Sequence, residues 1–357
     1  MRGDCRPSHP VDGQSVQHLL QPPPEPLSRW LAERDHPAYR SAQVRRWLFK
    51  RRAADLDQMT DLPTHLREAL ALEFRVWTAH VAGHRRADDG SEKLLLELAG
   101  GGRIECVLLR DGPRRTICIS TQVGCAMGCV FCASGLDGVE RNLTSGEIVE
   151  QMLLLDRLLG PDERLSHVVV MGMGEPLANL DALLPALAEA NSPTGLDISA
   201  RRITISTVGL PAAIDRLADE RCRYPLAVSL HASDDALRNR LVPVNRNIGL
   251  AKIIQAADRY FDVSGRRLTF EYVLLDGVND GPEHARRLVK LLGGRPMLVN
   301  VIPYNPVAGL PYRTPPASAV KRFCKILEMD GINVQVRRRK GARIDAACGQ
   351  LRHAAAR

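Results

Sequence analysis

Cys125, Cys129 and Cys132 are offset by four positions and then three. Thiolates at these offsets in one tight loop converge on one small metal centre, and soft sulfur donors select zinc or an iron–sulfur cluster. A structural zinc site wants four donors, with Cys or His in closely spaced pairs. The next histidine downstream is His167, while Cys118 lies a short way upstream and leaves a four-cysteine centre open. A [4Fe–4S] cluster usually takes four cysteines; held by three, it keeps one iron free for a ligand.

Other candidates follow short apolar runs. After 167–171 comes Gly172-Met173-Gly174-Glu175-Pro176. Glycines there let the backbone approach a ligand, and Glu175 accepts hydrogen bonds from an ammonium; a tight turn explains a lone Gly-x-Gly equally well. Ser206 closes one run, and Ser229, Leu230 and His231 close the next. Such groups hydrogen-bond a ribose or a carboxylate, although a lone histidine is more often structural. Asn305, between Pro303 and Pro306, reads as an Asx turn or as an amide presented to an adenine or ribose. Cys348 lies in the Gly-containing segment 345–351 and by itself reads as a small buried hydrophobe. Arg40, Arg45, Arg46, Lys50, Arg51 and Arg52 form a run with no acidic residue between Tyr39 and Ala54. A run of this kind is a solvated helix face or a phosphate-binding patch; a second one covers 337–340 with Arg343.

The elements that must position these residues are legible from periodicity. Helices are expected at 27–32, 36–52 and from about 62 onward. A hairpin is expected from 92–98 and 103–110 around Gly100-Gly101-Gly102, and a strand at 116–121 leads into the cysteine loop. Strands at 167–171, 203–206, 226–230, 268–273, 297–302 and 333–338 then alternate with helices at 145–159, 180–190, 211–219, 251–261, 282–292 and 316–329. This is an α/β pattern: a partial (βα)6 TIM-like barrel with an N-terminal helical accessory domain. Sites in such folds lie at the carboxyl ends of the strands, where the motifs fall. The expected divisions are a disordered tail at 1–26, a helical RNA-binding accessory domain at 27–90, a barrel with its hairpin extension at 91–351, and a short tail at 352–357.

The 357 residues are 45% hydrophobic, 25% charged and 4% aromatic, ordinary for a globular protein. No apolar run of membrane-spanning length occurs. The first 26 residues carry charges and prolines rather than an export signal. The expected compartment is the reducing cytoplasm, where cysteines serve as ligands or reactive groups. Lys and Arg number 49 against 41 Asp and Glu, a charge of +8 that leans toward a polyanionic partner.

The cysteine spacing, with Phe131 before the last cysteine, resembles the signature of radical S-adenosylmethionine (SAM) enzymes. Gly174 and Glu175 resemble their glycine–glutamate motif against the amino group of SAM. Residues 36–40, 59–63, 171–177, 241–245 and 345–351 resemble more narrowly the RlmN/Cfr family of radical SAM RNA methyltransferases, over roughly nine tenths of the chain. That resemblance implies a [4Fe–4S] cluster on Cys125, Cys129 and Cys132, and two SAM molecules per turnover. SAM would be bound by Gly174, Glu175, Ser206, Ser229, Leu230, His231 and Asn305. It implies that Cys348 carries the methyl group, Cys118 resolves a covalent RNA adduct, and Glu105 assists removal of the adenine proton. The implied substrates are an adenine of 23S rRNA, methylated at C2, and an adenine beside the anticodon of tRNA. The implied electron donor is a flavodoxin or ferredoxin, and the enzyme is expected to be a monomer. Residues 270–280 look more like the RlmN branch than the Cfr branch, which methylates C8. The alternative of a different class is a non-catalytic RNA-binding protein with a structural zinc. Tyr304, where a larger residue is common, and Asn247 depart from the family pattern on minor points.

Overall fold

The computed structural model describes residues 17–337 and 339–352. The chain opens with strand β1 (Gln17–His18), helices α1 (Glu25–Ala32), α2 (Tyr39–Phe49) and α3 (Thr64–Glu73), and strand β2 (Phe74–Arg75), which pairs in parallel with β1. Residues 17–26, expected in the tail, are therefore part of the accessory module; residues 1–16 and 353–357 lie outside the described residues. The module ends earlier than expected. Strand β3 (Ala79–Arg86) leaves it and pairs with the expected hairpin, β4 (Glu92–Leu98) and β5 (Arg103–Asp111). Alternation in β3 is too weakly apolar to mark it as a strand; its one paired edge on β4 defines it.

Strand β6 (Arg114–Cys118) runs antiparallel to β5 and starts the barrel. A small ribbon, β7 (Gln122–Gly124) with β8 (Val139–Asn142), precedes α4 (Ser145–Asp156). Then follow β9 (His167–Val170), α5 (Leu180–Asn191), β10 (Ile203–Thr207), α6 (Pro211–Asp219), β11 (Leu226–Ser229), α7 (Asp235–Leu241), α8 (Leu250–Ser264), β12 (Leu268–Leu274), α9 (Pro282–Leu292), β13 (Met297–Pro303), α10 (Ala317–Met329) and β14 (Asn333–Val336). The ten-stranded sheet has the order β14-β13-β12-β11-β10-β9-β6-β5-β4-β3. From β6 to β14 every pairing is parallel and sequential. Six crossovers that never reverse direction place every helix on one face, because parallel crossovers share one hand. The result is an open partial barrel, as the periodicity implied.

Side-chain alternation divides the two faces. Ile203, Ile205, Val228, Phe270, Tyr272, Val299 and Val301 are buried on the helix side. Ser206, Ser229, Glu271 and Asn300 share the opposite face by register: Ser206 pairs with Ala227, and Ser229, Glu271 and Asn300 lie side by side across β11, β12 and β13. A one-residue slip would exchange these sets, so the apolar face fixes the polar one.

Arginines and one glutamate hold the accessory module on the barrel. Glu150 of α4 accepts from the N–H groups of Thr78 and Ala79, both at 2.8 Å, and from the Thr78 hydroxyl at 2.7 Å. Arg45 pairs with Glu189 of α5. Arg52 donates to both oxygens of Asp156 at 2.8 and 3.3 Å and to the carbonyls of Leu159, Gly160 and Glu163.

Candidate active site

The β7–β8 ribbon closes the base of the cysteine loop, and the Cys125 N–H donates to the Gly138 carbonyl at 2.7 Å. The far side of the loop rests on α7 through the Val130 N–H and the Leu241 carbonyl, 3.1 Å apart. All three cysteines line one cavity at the carboxyl ends of the parallel strands, with Gly174, Glu175, Ser206, Ser229, His231, Glu271, Asn305, Arg337 and Cys348. Burial pushes the three thiols up, Cys125 to about 12, and crowding with one another adds to this for Cys125 and Cys129. Metal binding in such a pocket releases protons.

The residues present fit an iron–sulfur cluster. Among the described residues no group of three His, Cys, Asp or Glu is gathered to hold a single metal ion. The three thiols stand instead around a cavity wall, which suits a larger group. Behind them lies Arg238, fully buried, donating to the carbonyls of Leu230 and Ser229, both at 3.0 Å, to that of Val208, and to Asn245. No carboxylate pairs with it among the described residues. A buried cation without an anion costs several kcal/mol, and Cys129 is the strongest influence favouring its charge. An anionic cluster on these cysteines would balance it.

Glu175 is held by the backbone around it. Its two oxygens accept from the N–H groups of Leu177 at 3.0 Å and Val208 at 2.8 Å. Its own N–H donates to Gln122 at 2.8 Å. Gly174 before it has φ +99°, and a Cβ there would lie 2.7 Å from the Gln122 Cβ, so only glycine brings the chain this close. His231 is buried, and burial, with the Arg238 charge, lowers its pKa to about 3. Its Nδ1 accepts from the Val273 N–H at 3.1 Å, which leaves the proton of the neutral ring on Nε2. Phe131 packs edge-on against it at 4.9 Å.

The C-terminal segment lies between this cavity and a neighbouring groove. Asn305 donates to the Cys348 carbonyl at 3.1 Å, and the Ala133 N–H to that of Gly349 at 2.8 Å. The Ser134 hydroxyl donates to the Leu351 carbonyl at 2.7 Å, and the Arg352 N–H to Glu105 at 2.9 Å. Cys348 and Gly349 line the cavity, whereas Gln350, Arg352 and Glu105 line the groove. Register explains why Glu105 and Cys118 meet the same segment: Val107 pairs with Cys118, so Cys118, Val107 and Glu105 share one face of the sheet. Burial raises the Cys118 thiol to about 12, with the nearby Cys348 second among the causes and Arg337 opposing. Cys118 does not line the cavity that Cys125, Cys129, Cys132 and Cys348 share, so it does not join the three loop cysteines as a fourth donor.

Three expectations change. Leu230 is wholly buried and its N–H donates to the Glu271 carbonyl at 3.0 Å, so neither group faces the cavity. Asn305 lines the cavity, but its amide holds the tail and accepts from Arg339 at 2.9 Å. The basic run is not one surface. Arg45 and Arg52 are spent on the barrel, Arg46 pairs with Asp61 at 2.7 Å, and Arg40 donates to Gln43 and to the Asp61 carbonyl. Lys50 and Arg51 remain exposed, Arg51 stacked over Trp47. The second patch is likewise engaged: Lys340 with Asp111, Arg343 with Asp88, and Arg337 in the cavity; Arg338 lies outside the described residues. Sequence reasoning missed Arg238, Glu271 and Lys93, and read Arg337 as part of a surface run. A lone charge within a helix or strand does not by itself distinguish a site from a surface.

An open barrel with three cysteines on the loop after its first strand and a glycine–glutamate turn after its second defines a radical SAM enzyme. Residues 119–289 match the radical SAM superfamily, and residues 17–76 match the ribosomal RNA large subunit methyltransferase N-terminal domain. The chain is 62% identical over 340 residues to the probable dual-specificity RNA methyltransferase RlmN of Rhodopirellula baltica, covering 95% of this chain and 92% of that one. It is 46% identical to the probable RlmN of Symbiobacterium thermophilum over 351 residues, 98% and 92% of the two chains. The crystal structure of a radical SAM methyltransferase from Sphaerobacter thermophilus superposes with a TM-score of 0.89 at 43% identity, over 92% of this chain and 97% of that one. The chain belongs to the RlmN family of radical SAM RNA methyltransferases. Among the described residues no helix is long and apolar enough to cross a membrane.

Proposed function

We propose that the enzyme methylates C2 of one adenine in the peptidyl-transferase region of 23S rRNA, and of an adenine beside the anticodon in tRNA, in the cytoplasm. The observation that supports this reading is a second cysteine, Cys118, buried close enough to Cys348 to feel its charge, while Cys348 lines the cavity shared by Cys125, Cys129 and Cys132. An electron-poor sp² carbon cannot take a methyl group as an amine does, so a thiol relay on the enzyme is needed. Bound in the cavity, the cluster and SAM would supply a methyl group and a 5′-deoxyadenosyl radical, with the electron from a flavodoxin or ferredoxin.

The chain's own residues supply the rest. Cys125, Cys129 and Cys132 would hold the cluster, and Glu175, Ser206, Ser229 and His231 would orient SAM. The Cys348 thiol gives up its proton and takes the methyl group; that methyl carbon then loses one hydrogen atom, which the deoxyadenosyl radical would take up, and bonds to C2. The adduct loses its C2 proton to Glu105 and one electron, for which the cluster would be the acceptor. Cys118, having lost its own proton, then attacks the Cys348 sulfur: the carbon–sulfur bond breaks with its electron pair on the methylene carbon, which takes up a proton and stays on RNA as the methyl group, and the Cys118–Cys348 disulfide is reopened by an external thiol reductant. The base must leave its stack to reach Glu105, so an unpaired or flipped adenine is the substrate.

Mass spectrometry of rRNA and tRNA pools from a deletion strain tests this. Loss of 2-methyladenosine from both is expected; loss of 8-methyladenosine alone would overturn it in favour of the Cfr-type reaction. A Cys118→Ala protein should accumulate cross-linked to RNA through Cys348, and full activity of that variant would remove Cys118 from the mechanism.

A further inference from the structure

Lys93 is a buried lysine on β4, and lysine is almost never buried without a partner. Register puts it on the face that holds Glu105 and Cys118: Lys93 pairs with Val107, and Val107 with Cys118. Its Nζ lies 2.7 Å from one oxygen of Glu105. The same Nζ donates at 3.0 Å to the carbonyl of Asp345, three residues before Cys348. The other Glu105 oxygen accepts from the Arg352 N–H at 2.9 Å. One ammonium thus joins the base to the segment that carries the methyl group.

Building on the role of Glu105 proposed above, we infer that Lys93 is a positioning residue, which keeps the buried Glu105 carboxylate ionised and aimed at the groove where the adenine enters. A carboxylate in this position loses hydration and is driven toward its neutral form, which accepts no proton. Burial is the dominant influence on Glu105 and raises it; the Lys93 charge and hydrogen bond are the leading opposition, with Asp345 adding a smaller upward push. The other charged side chains sharing the groove are Arg85, Glu97, Arg103 and Arg352. Among the described residues none of these side chains forms an ion pair with Glu105, so Lys93 is the cation that opposes its burial. The proton from C2 goes to Glu105, and Lys93 then stands beside a neutral acid.

The test is the pH dependence of RNA methylation by the reconstituted enzyme on 23S rRNA from a deletion strain, together with the ionisation of Glu105 itself. In Lys93→Met the acidic limb should move to higher pH by about one to three units, the usual effect of an opposite charge at hydrogen-bond distance. Lys93→Arg should restore the limb. A Lys93→Met profile that overlays the wild type overturns the inference. Should Lys93→Met fail to fold, ¹³C NMR of glutamate-labelled wild-type protein, with Glu105→Gln for assignment, decides alone: Glu105 must be ionised near neutral pH, and a protonated carboxyl there overturns the inference. Failure of the methyl-relay reading looks different. It shows as wild-type enzyme without S-methylated Cys348, whatever the state of Glu105.

Discussion

Arg52 was expected to touch RNA, and the structure gives it another task. It makes five hydrogen bonds onto the barrel, two of them to a carboxylate. Its side chain is 21% exposed and that of Asp156 is 7% exposed. Arg52→Met keeps the aliphatic stem and removes every one of these bonds. Asp156 is left buried, and burial, which already raises its carboxyl, then acts with less to oppose it. Breaking a buried pair from one side costs about 3–5 kcal/mol; partial exposure of Arg52 places this one near 3 kcal/mol, roughly a 150-fold rise in the detached module. All three tryptophans, Trp30, Trp47 and Trp77, lie in the module or its exit. Urea unfolding followed by tryptophan fluorescence therefore reports that region, and the midpoint should fall by about 1–2 M. RNA affinity under conditions where the module stays attached should keep its salt dependence. An unchanged midpoint with a salt slope reduced by about one would refute the reasoning, since that is the mark of a lost phosphate contact. That second behaviour is what Lys50→Met and Arg51→Met should show.

Gly174→Ala forces a Cβ against Gln122 at a φ of +99°; strain of about 1–3 kcal/mol should weaken SAM binding by one to two orders of magnitude in equilibrium dialysis. Asn305→Ala removes the bond to the Cys348 carbonyl, worth about 1 kcal/mol, so hydrogen exchange in 345–350 should quicken roughly fivefold. Glu147 closes the capping box of α4 and pairs with Arg141. Burial pushes its carboxyl up, but Arg141 and the Thr144 N–H outweigh this and leave it below its ordinary 4.5. A depressed folded-state pKa gives stability that is present above the unfolded value and lost as pH falls. The destabilisation in Glu147→Gln, measured by thermal unfolding, should therefore be full at neutral pH and shrink as pH falls below the ordinary glutamate range and through the lowered folded-state value; a pH-independent deficit would mean that shape rather than charge matters there.

Local pattern alone carried much of this protein. Offsets of four and three bring thiols into one loop, so Cys125, Cys129 and Cys132 were legible as a centre before any fold was known. Period-two and period-3.6 alternation are properties of neighbouring residues, and they gave six of the seven barrel helices, missing the short α7, and nearly all the barrel strands, and so placed Glu175, Ser206 and His231 at strand ends. The edge strand β3 escaped because its apolar signal is weak and its pairing is supplied by β4. What the tertiary structure decided was the partner of each charge. Arg52 and Asp156 are 104 positions apart in sequence, and no run of basic residues says which are anchored on a barrel and which are left for phosphate. The same holds at the site. Cys118 and Cys348 lie at opposite ends of the barrel, and Lys93, Glu105 and Asp345 come from two strands and the tail. Only the register of β4, β5 and β6 and the path of the C-terminal segment put them within reach of one another, because a charge finds its partner through space while a periodicity is written along the chain.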